Sequence, residues 1–236
     1  MTGVPGYACP GGAYVFAGPS LYYQAAPKGD FELRPPVKAG DLVAIPALAG
    51  GGSLVVVVDG EFGQSLSVPI SELRAILEAG NTIVGCSSMG ALRAVECAPL
   101  GMAGRGWVFE QYRSGRINDD GEVALSYDPE SYRPFSVPLV NWRWLLASMV
   151  EASELSAELA RELLGAAADV FYRERTVPCL RRLVAASSAS AKDHDRLMSK
   201  LEPSRLGEWD RKCLDALETL GEVLSSRTTP AEVLLP

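Results

Sequence analysis

The chain has 236 residues, of which 47% are hydrophobic and 22% are charged, and its formal net charge is −7. This composition is typical of a globular protein with a substantial core, and its acidity argues against a general nucleic-acid binder, which normally has a basic face. The longest apolar runs are too short to cross a bilayer, and the first ten residues lack the basic and apolar regions of a secretory signal. We therefore expect a cytoplasmic protein whose partners include neither nucleic acid nor membrane.

The cysteines and the histidine exclude several kinds of site. Five cysteines are scattered without a Cys-x-x-Cys pair: Cys9, Cys86, Cys97, Cys179 and Cys213. An odd, scattered set is typical of reduced thiols in a cytosol rather than of a disulfide framework or a zinc site. The single histidine, His194, lies in a polar segment, and we expect it at the surface. No Gly-x-x-x-x-Gly-Lys phosphate loop is present, so we predict no cofactor and no metal.

The first 130 or so residues alternate short apolar runs with helical patterns. The predicted strands are AYVFAG (13–18), DLVAIPAL (41–48), SLVVVVDG (53–60) and NTIVG (81–85), of which the valine run is typical of a strand buried on both faces. The predicted helices are VPISELRAILEAG (68–80) and SSMGALRAVECA (87–98). This order predicts an α/β fold with a mostly parallel sheet flanked by helices.

After residue 136, the sequence is rich in Ala, Leu, Glu and Arg at helical spacing. Helices are predicted near 137–152, 156–174, 177–187 and 204–224, with a loop at 185–193. We therefore expect an α/β core domain over residues 1–150 and a helical C-terminal extension over residues 151–236.

Three segments are predicted to meet beyond the carboxyl ends of the strands, where open α/β sheets carry their functional loops. They are Gly18-Pro19-Ser20, the loop that begins at Asp59, and CSSMG at 86–90. Asp59 is a candidate general base or orienting carboxylate, or part of an ordinary Asp-Gly turn. In CSSMG, small residues flank Ser88 as they flank a nucleophile on a sharp strand-to-helix turn. The alternative is that Ser87 or Ser88 caps the following helix.

A concentration of acid follows the second helix pattern. Asp119, Asp120 and Glu122 lie within four residues of one another. Such carboxylates can bind a hard cation or a basic partner, but the alternating oxygen ligands of a calcium loop are missing. The pattern therefore favours a solvated acidic turn.

Long stretches of the sequence resemble the TfuA-like family. They are VFAGPSL, PPVKAGDL, VVDGEF, GCSSMGALRAVE, GMAGRGWVFEQYRSG, INDDGEVAL and YRPFSVPLVNWR, in the order typical of the family, over about residues 14–143. The resemblance implies an accessory protein of YcaO-dependent thioamidation in the biosynthesis of ribosomally made, modified peptides. The implied partners are a YcaO-type cyclodehydratase or thioamide synthetase, the precursor peptide that it modifies with ATP, and a thiocarboxylated, ubiquitin-like (ThiS-like) sulfur carrier protein. The implied reaction releases sulfide from that carrier.

Hydrolysis of a thioacid is acyl transfer to water, so it needs a nucleophile, a base and donors for an oxyanion. The candidate catalytic residues are Ser88 and Ser87 in the turn, with Asp59 or Lys38 as the base, because His194 lies far from the serines in sequence. Expected binding positions are Gly18, Pro19, Ser20, Glu72, Met89, Gly90, Arg93, Asp119 and Asp120.

The chain also departs from the family pattern. Where the family usually reads Val-Trp-His-Lys-Glu-Ile, this chain reads VPISEL at 68–73, which keeps Glu72 but has neither the histidine nor the lysine. The alternative function is therefore a non-catalytic docking or activating subunit of a YcaO enzyme.

Overall fold

The computed structural model describes residues 11–63 and 66–228, so Cys9 and the segment assessed as a secretory signal lie outside the described residues. Within them, one parallel sheet contains β1 (Ala13–Phe16), β2 (Glu32–Arg34), β3 (Leu54–Val57), β4 (Thr82–Gly85) and β5 (Ala103–Gly104). The strand order is β2-β1-β3-β4-β5. The predicted parallel α/β sheet is thus confirmed.

The sheet reverses its winding at β1. Val15 of β1 is in register with Leu33 of β2 on one side and with Val56 of β3 on the other. The chain therefore moves outward to β2 and then returns past β1 to β3. In open α/β sheets this point of reversal is where ligands bind, beyond the carboxyl ends of the two strands.

Helices surround the sheet and follow it. They are α1 (Pro46–Ala49), α2 (Ile70–Glu78), α3 (Met89–Glu96), α4 (Gly106–Arg113), α5 (Leu139–Glu151), α6 (Ala157–Ala168), α7 (Val177–Ala186), α8 (Ala191–Lys200) and α9 (Arg211–Thr228). Short 3₁₀ turns occur at Pro19–Leu21, Ala98–Leu100, Asp120–Glu122 and Pro203–Glu208. The predicted helical C-terminal portion is confirmed. Among the described residues, no helix is both long and apolar enough to cross a membrane.

Alternate residues of β3 pack against different layers, because successive strand side chains point to opposite faces. Val55 and Val57 lie in the core formed with α2, α3 and α4, whereas Leu54 and Val56 lie in the core formed with α9. The last described helix thus covers the second face of the sheet. Helices α5 to α8 have a core of their own around Trp142.

The predicted strand at 41–48 is wrong. Ala44 and Ile45 donate their backbone N–H groups to nearby carbonyls in turns, and Pro46 begins α1. A proline fixes φ near the helical value and suits the first position of a helix, so the apolar run folds locally instead of joining the sheet. Both edge strands were missing from the prediction: β2 is short and carries Glu32 and Arg34, and β5 has only two residues. The loop predicted at 185–193 is shorter, because Ser190 caps α8.

Two glycines allow α3 to approach the strands closely. A Cβ atom on Gly90 would lie 1.8 Å from the Val57 carbonyl oxygen, and one on Gly85 would lie 2.0 Å from the Gly90 carbonyl oxygen. Neither backbone can move away without shifting the sheet or the helix. The turn between β4 and α3 is therefore held tightly against β3.

We expect Gly90→Ala to lower the free energy of unfolding by about 3 kcal/mol or more, because overpacking against backbone atoms cannot be relieved by a rotamer change. Gly165→Ala in α6 is the control, since an added Cβ there meets no atom within 4 Å. That substitution should raise stability by about 0.5–1 kcal/mol, because alanine favours helix. Urea unfolding measures both, and a Gly90→Ala protein as stable as wild type would contradict the close packing.

Candidate active site at the carboxyl edge of the sheet

Ser87 ties the turn after β4 to the rest of the site. Its φ of +66° lies in the left-handed region, which residues other than glycine rarely adopt. Residues held in such conformations are found most often at functional sites. The positive φ falls one residue before Ser88, which the sequence spacing put at the apex. The Ser87 hydroxyl lies 2.8 Å from the Lys212 carbonyl oxygen, to which it donates, and 3.1 Å from Ser20 Oγ. Ser87 therefore joins this turn to α9 and to the loop after β1.

Ser88 has a different environment. It occupies the N-cap position of α3, but its side chain makes no capping hydrogen bond. A capping serine would accept from an N–H group in the first turn of the helix. Instead, Ser88 lines a cavity of about 870 Å³, and its hydroxyl has no hydrogen-bond partner among the described residues. Ser88 is thus the serine of this turn whose hydroxyl remains available to a ligand.

The backbone next to Ser88 provides a donor. The Met89 N–H group donates to no acceptor in the part of the chain that the structure describes, whereas the Gly90 N–H donates to the Val58 carbonyl oxygen at 3.3 Å. Met89 is also the first residue of α3, where the helix dipole favours negative charge. A negative oxygen that forms beside Ser88 can therefore accept a hydrogen bond from this amide.

Asp59 anchors the loop that follows β1. Its Oδ2 atom accepts from the backbone N–H groups of Gly18 at 2.9 Å and Ser20 at 3.0 Å, and its Oδ1 atom accepts from the Ser20 hydroxyl at 2.7 Å. Both N–H groups of the Gly-Pro-Ser turn are thus occupied, because proline has none. The carboxylate holds the ends of β1 and β3 together, and the turn supplies no free amide to the cavity.

Lys212, in the first turn of α9, is a functional candidate that the sequence analysis missed. Its side chain is 1% exposed, and its Nζ atom donates to the Val123 carbonyl oxygen at 3.0 Å and lies 4.0 Å from Asp59 Oδ1. Burial lowers the pKa of this lysine, while the nearby Asp59 and Asp210 carboxylates act in the opposite direction. Lys212 lines the same cavity as Ser88. A desolvated lysine of lowered pKa can act as a base for a serine.

A comparison with known protein families finds a match. A family model described as TfuA-like protein matches residues 59–176, which is half of the chain. The chain belongs to the TfuA-like family. No curated protein matches it. Membership points to a role related to YcaO-associated thioamidation. The matched segment contains Asp59 and Ser88 but ends before α9, so Lys212 of this TfuA-like protein lies outside it.

One signal in the sequence does point to Lys212. It lies four residues before Ala216 and eight before Leu220, so it shares their face of the helix, and these two residues belong to the core against the sheet. A lysine on the buried face of an amphipathic helix is stable only where polar or charged partners compensate for the loss of water. The neighbouring charges Asp210 and Arg211 obscure this signal, because a run of charged residues usually indicates a solvated face.

The cavity gathers only part of the residues predicted for the TfuA-like site. Of these, it is lined by Pro19, Asp59, Ser88, Asp119 and Asp120. Lys38 is exposed and does not line it, and its backbone N–H donates to Asp41 at 3.0 Å. Arg93 lies elsewhere, where its guanidinium donates to the Val68 carbonyl oxygen at 3.1 Å and pairs with Glu96. His194 lies on α8, partly exposed and away from the cavity.

The acidic turn is held by contacts within the protein. Asp119 accepts from the Gly121 N–H at 2.6 Å and caps the 3₁₀ turn, while Glu122 is buried and pairs with Arg143. Among the described residues, no group of three His, Cys, Asp or Glu side chains is placed to hold a metal ion. Asp119 and Asp120 therefore contribute negative charge to the wall of the cavity.

Cys86, beside the serines, is fully buried, and burial raises the pKa of its thiol. A protonated, buried thiol is a poor nucleophile. Cys86 is therefore not a candidate nucleophile of this turn.

Glu72 binds a loop of the protein itself. Its carboxylate accepts from the N–H groups of Gly40 at 2.8 Å, Leu42 at 2.8 Å and Val43 at 3.2 Å. We expect Glu72→Gln to lower the free energy of unfolding by about 1–3 kcal/mol, because an amide NH₂ group would face an N–H donor. Glu78→Gln, at an exposed position of the same helix, should change it by less than about 0.5 kcal/mol. Equal urea midpoints for both variants would contradict this role.

Proposed function

We propose that this TfuA-like protein hydrolyses the thiocarboxylate of a ubiquitin-like sulfur carrier protein and so supplies sulfide to a YcaO-type enzyme, which thioamidates a ribosomally made peptide. The observation that carries the proposal is the Ser88 hydroxyl, which has no partner among the described residues and lines a cavity shared with the buried Lys212. Family membership supports the choice of substrate, and the cavity volume of about 870 Å³ suits a ligand of moderate size.

The proposed reaction begins with acyl transfer to Ser88. Its Oγ atom attacks the carbonyl carbon of the thiocarboxylate while its proton passes to neutral Lys212, and the oxyanion faces the Met89 N–H group. The C–S bond then breaks, and Lys212 returns the proton to the departing sulfur, which leaves as hydrosulfide. The acyl group is now an ester of Ser88.

Water completes the cycle. Lys212 takes a proton from the water that attacks the ester, and Ser88 Oγ recovers a proton as its bond to the acyl carbon breaks. The carrier leaves with a carboxylate, one proton enters the solvent, and no electrons are exchanged with any other reactant. Asp59, whose Oδ1 atom lies 4.0 Å from Lys212 Nζ, stabilises the ammonium that forms in each half of the cycle.

The test is sulfide release from a purified thiocarboxylated carrier protein with no YcaO enzyme present. Wild-type protein should release sulfide catalytically and convert the carrier thiocarboxylate to the carboxylate, which mass spectrometry detects as the exchange of sulfur for oxygen. No release above the rate of the carrier alone would overturn an independent hydrolase.

A docking role is the second candidate, and the mouth of the cavity favours it. Leu66, Phe135 and Phe171 line the cavity and are 48%, 47% and 58% exposed. Exposed apolar side chains gathered at one place are typical of a surface that meets another protein. If docking alone is the function, Ser88→Ala will stimulate a YcaO enzyme as well as wild type does, even when the carrier is the only source of sulfur.

A further inference from the structure

Arg175 is a buried cation on the wall of the same cavity. It lies between α6 and α7 and is 3% exposed. Its Nε atom donates to the Ala167 carbonyl oxygen and its Nη2 atom to the Val170 carbonyl oxygen, both at 3.0 Å. Its Nη1 atom is also buried and has no hydrogen-bond partner among the described residues. One edge of the guanidinium is therefore unused.

Arg175 also has no carboxylate in direct contact. Within the described ranges, no carboxylate forms a salt bridge with it; Glu122 and Asp119 attract it from beyond that distance, and Glu122 is paired with Arg143. The two carbonyls at the end of α6 supply only the partial charge of a helix C-terminus. A buried charge is costly unless it is paired, and a guanidinium does not lose its proton in a protein. The arrangement is incomplete without an anion.

We propose that Arg175 is an anion-binding subsite of the cavity and takes a monoanionic carboxylate-type group, either a carboxylate or a thiocarboxylate, through its free Nη1 edge. The planar guanidinium matches the two acceptor atoms of such a group. The inference rests on the proposed function for the identity of the anion, because the thiocarboxylate and the carboxylate are the substrate and product ends of the carrier.

The charges of the cavity select a monoanion over a dianion. The carboxylate side chains that line it are Asp59, Glu61, Asp119 and Asp120, and the lysine and arginine side chains are Arg173, Arg175 and Lys212. A ligand with two negative charges is repelled by more carboxylates than it can pair with cations. Inorganic phosphate is therefore expected to bind more weakly than acetate.

Binding is tested on the Ser88→Ala protein, which removes the proposed nucleophile and keeps the cavity. Titrations with acetate, thioacetate, acetamide and inorganic phosphate are followed by the amide chemical shifts of residues around the cavity. Acetate and thioacetate should bind saturably, acetamide should not, and phosphate should bind about tenfold more weakly than acetate. Arg175→Met should lower the affinity for both carboxylate-type anions by about 10- to 100-fold, as loss of a charged hydrogen bond does.

The matched control is Arg173→Met, which removes an exposed cation that stacks on Tyr172 and lines the same cavity. Its affinity for acetate should change by less than about threefold, as for a screened surface charge. An equal loss in the two variants would overturn the proposal. So would phosphate binding as tightly as acetate, or no saturable binding of either carboxylate.

A second measurement applies if Arg175→Met does not fold, since this arginine also holds the end of α6. A ligand that binds only the folded state raises the midpoint of thermal unfolding. Acetate should raise the midpoint of the Ser88→Ala protein above that found with acetamide or chloride at equal concentration, and the absence of a difference would overturn the subsite. Failure of sulfide release while acetate still binds would overturn the hydrolase and leave the subsite supported.

Discussion

Ser88→Ala is expected to lower sulfide release from a thiocarboxylated carrier by about 10³-fold or more, which is the scale of losing the nucleophile of an acyl-transfer site. Ser88 Oγ is the atom that would attack the carbonyl carbon. The neighbouring Ser87 cannot replace it, because its hydroxyl donates to the Lys212 carbonyl oxygen. Stability should change by less than about 0.5 kcal/mol, since the Ser88 side chain caps nothing.

Ser126→Ala is the matched control for this loss. Ser126 lines the same cavity, and its hydroxyl lies 3.2 Å from the Ser136 hydroxyl. We expect the control to keep its rate within about threefold of wild type, because surface substitutions away from the reacting atoms have small effects. Initial rates of sulfide release, with urea unfolding of each variant, measure both outcomes. A Ser88→Ala protein that retains the wild-type rate would remove Ser88 from the mechanism.

Lys212→Met is expected to reduce sulfide release by about 10²- to 10⁴-fold, the usual contribution of a general base. Methionine has a similar length and no charge, so it fills the same space without a proton acceptor. The substitution also removes one partner of the buried Lys212–Asp59 pair, so the free energy of unfolding should fall by about 3–5 kcal/mol, and rates are compared under conditions where urea unfolding shows the variant to be folded. The control is Lys38→Met. Lys38 is the base predicted from the sequence, but it lies outside the cavity, so we expect this variant to release sulfide at the wild-type rate.

The same lysine predicts two dependences on pH. Only neutral Lys212 accepts a proton, so the rate of sulfide release by wild type should rise with pH and level off once the pH exceeds the lowered pKa of Lys212 in the folded protein.

The second dependence concerns stability. Lys212 in the unfolded chain titrates at its ordinary pKa of 10.5 and therefore binds more protons than folded Lys212 between the two pKa values. Wild-type stability should thus gain from this residue as pH rises through that window, and Lys212→Met should lack the gain. Identical profiles for the two proteins would contradict the lowered pKa.

Local patterns were sufficient to predict the framework of the fold. The continuous apolar run LVVVV of 54–58 is typical of a strand buried on both faces, and β3 is buried throughout. The small residues of the turn at 86–90 likewise indicated a sharp change from strand to helix, and Gly90 allows it because any Cβ there would meet the Val57 carbonyl oxygen. Family motifs then brought attention to Ser88. These features depend on residues close in sequence, so their spacing carries the information.

The tertiary structure decided which groups remain free to react. Asp59 was a candidate base by position, but three hydrogen bonds from Gly18 and Ser20 engage its carboxylate. Lys38 lies within a family motif yet is exposed, whereas α9, more than a hundred residues after Ser88, brings Lys212 to the same cavity. Burial, hydrogen-bond partners and pKa arise from contacts between distant segments. The sequence by itself therefore determined three strands of the sheet, the turn and the family, and only the packing of α9 onto the sheet supplied the lysine.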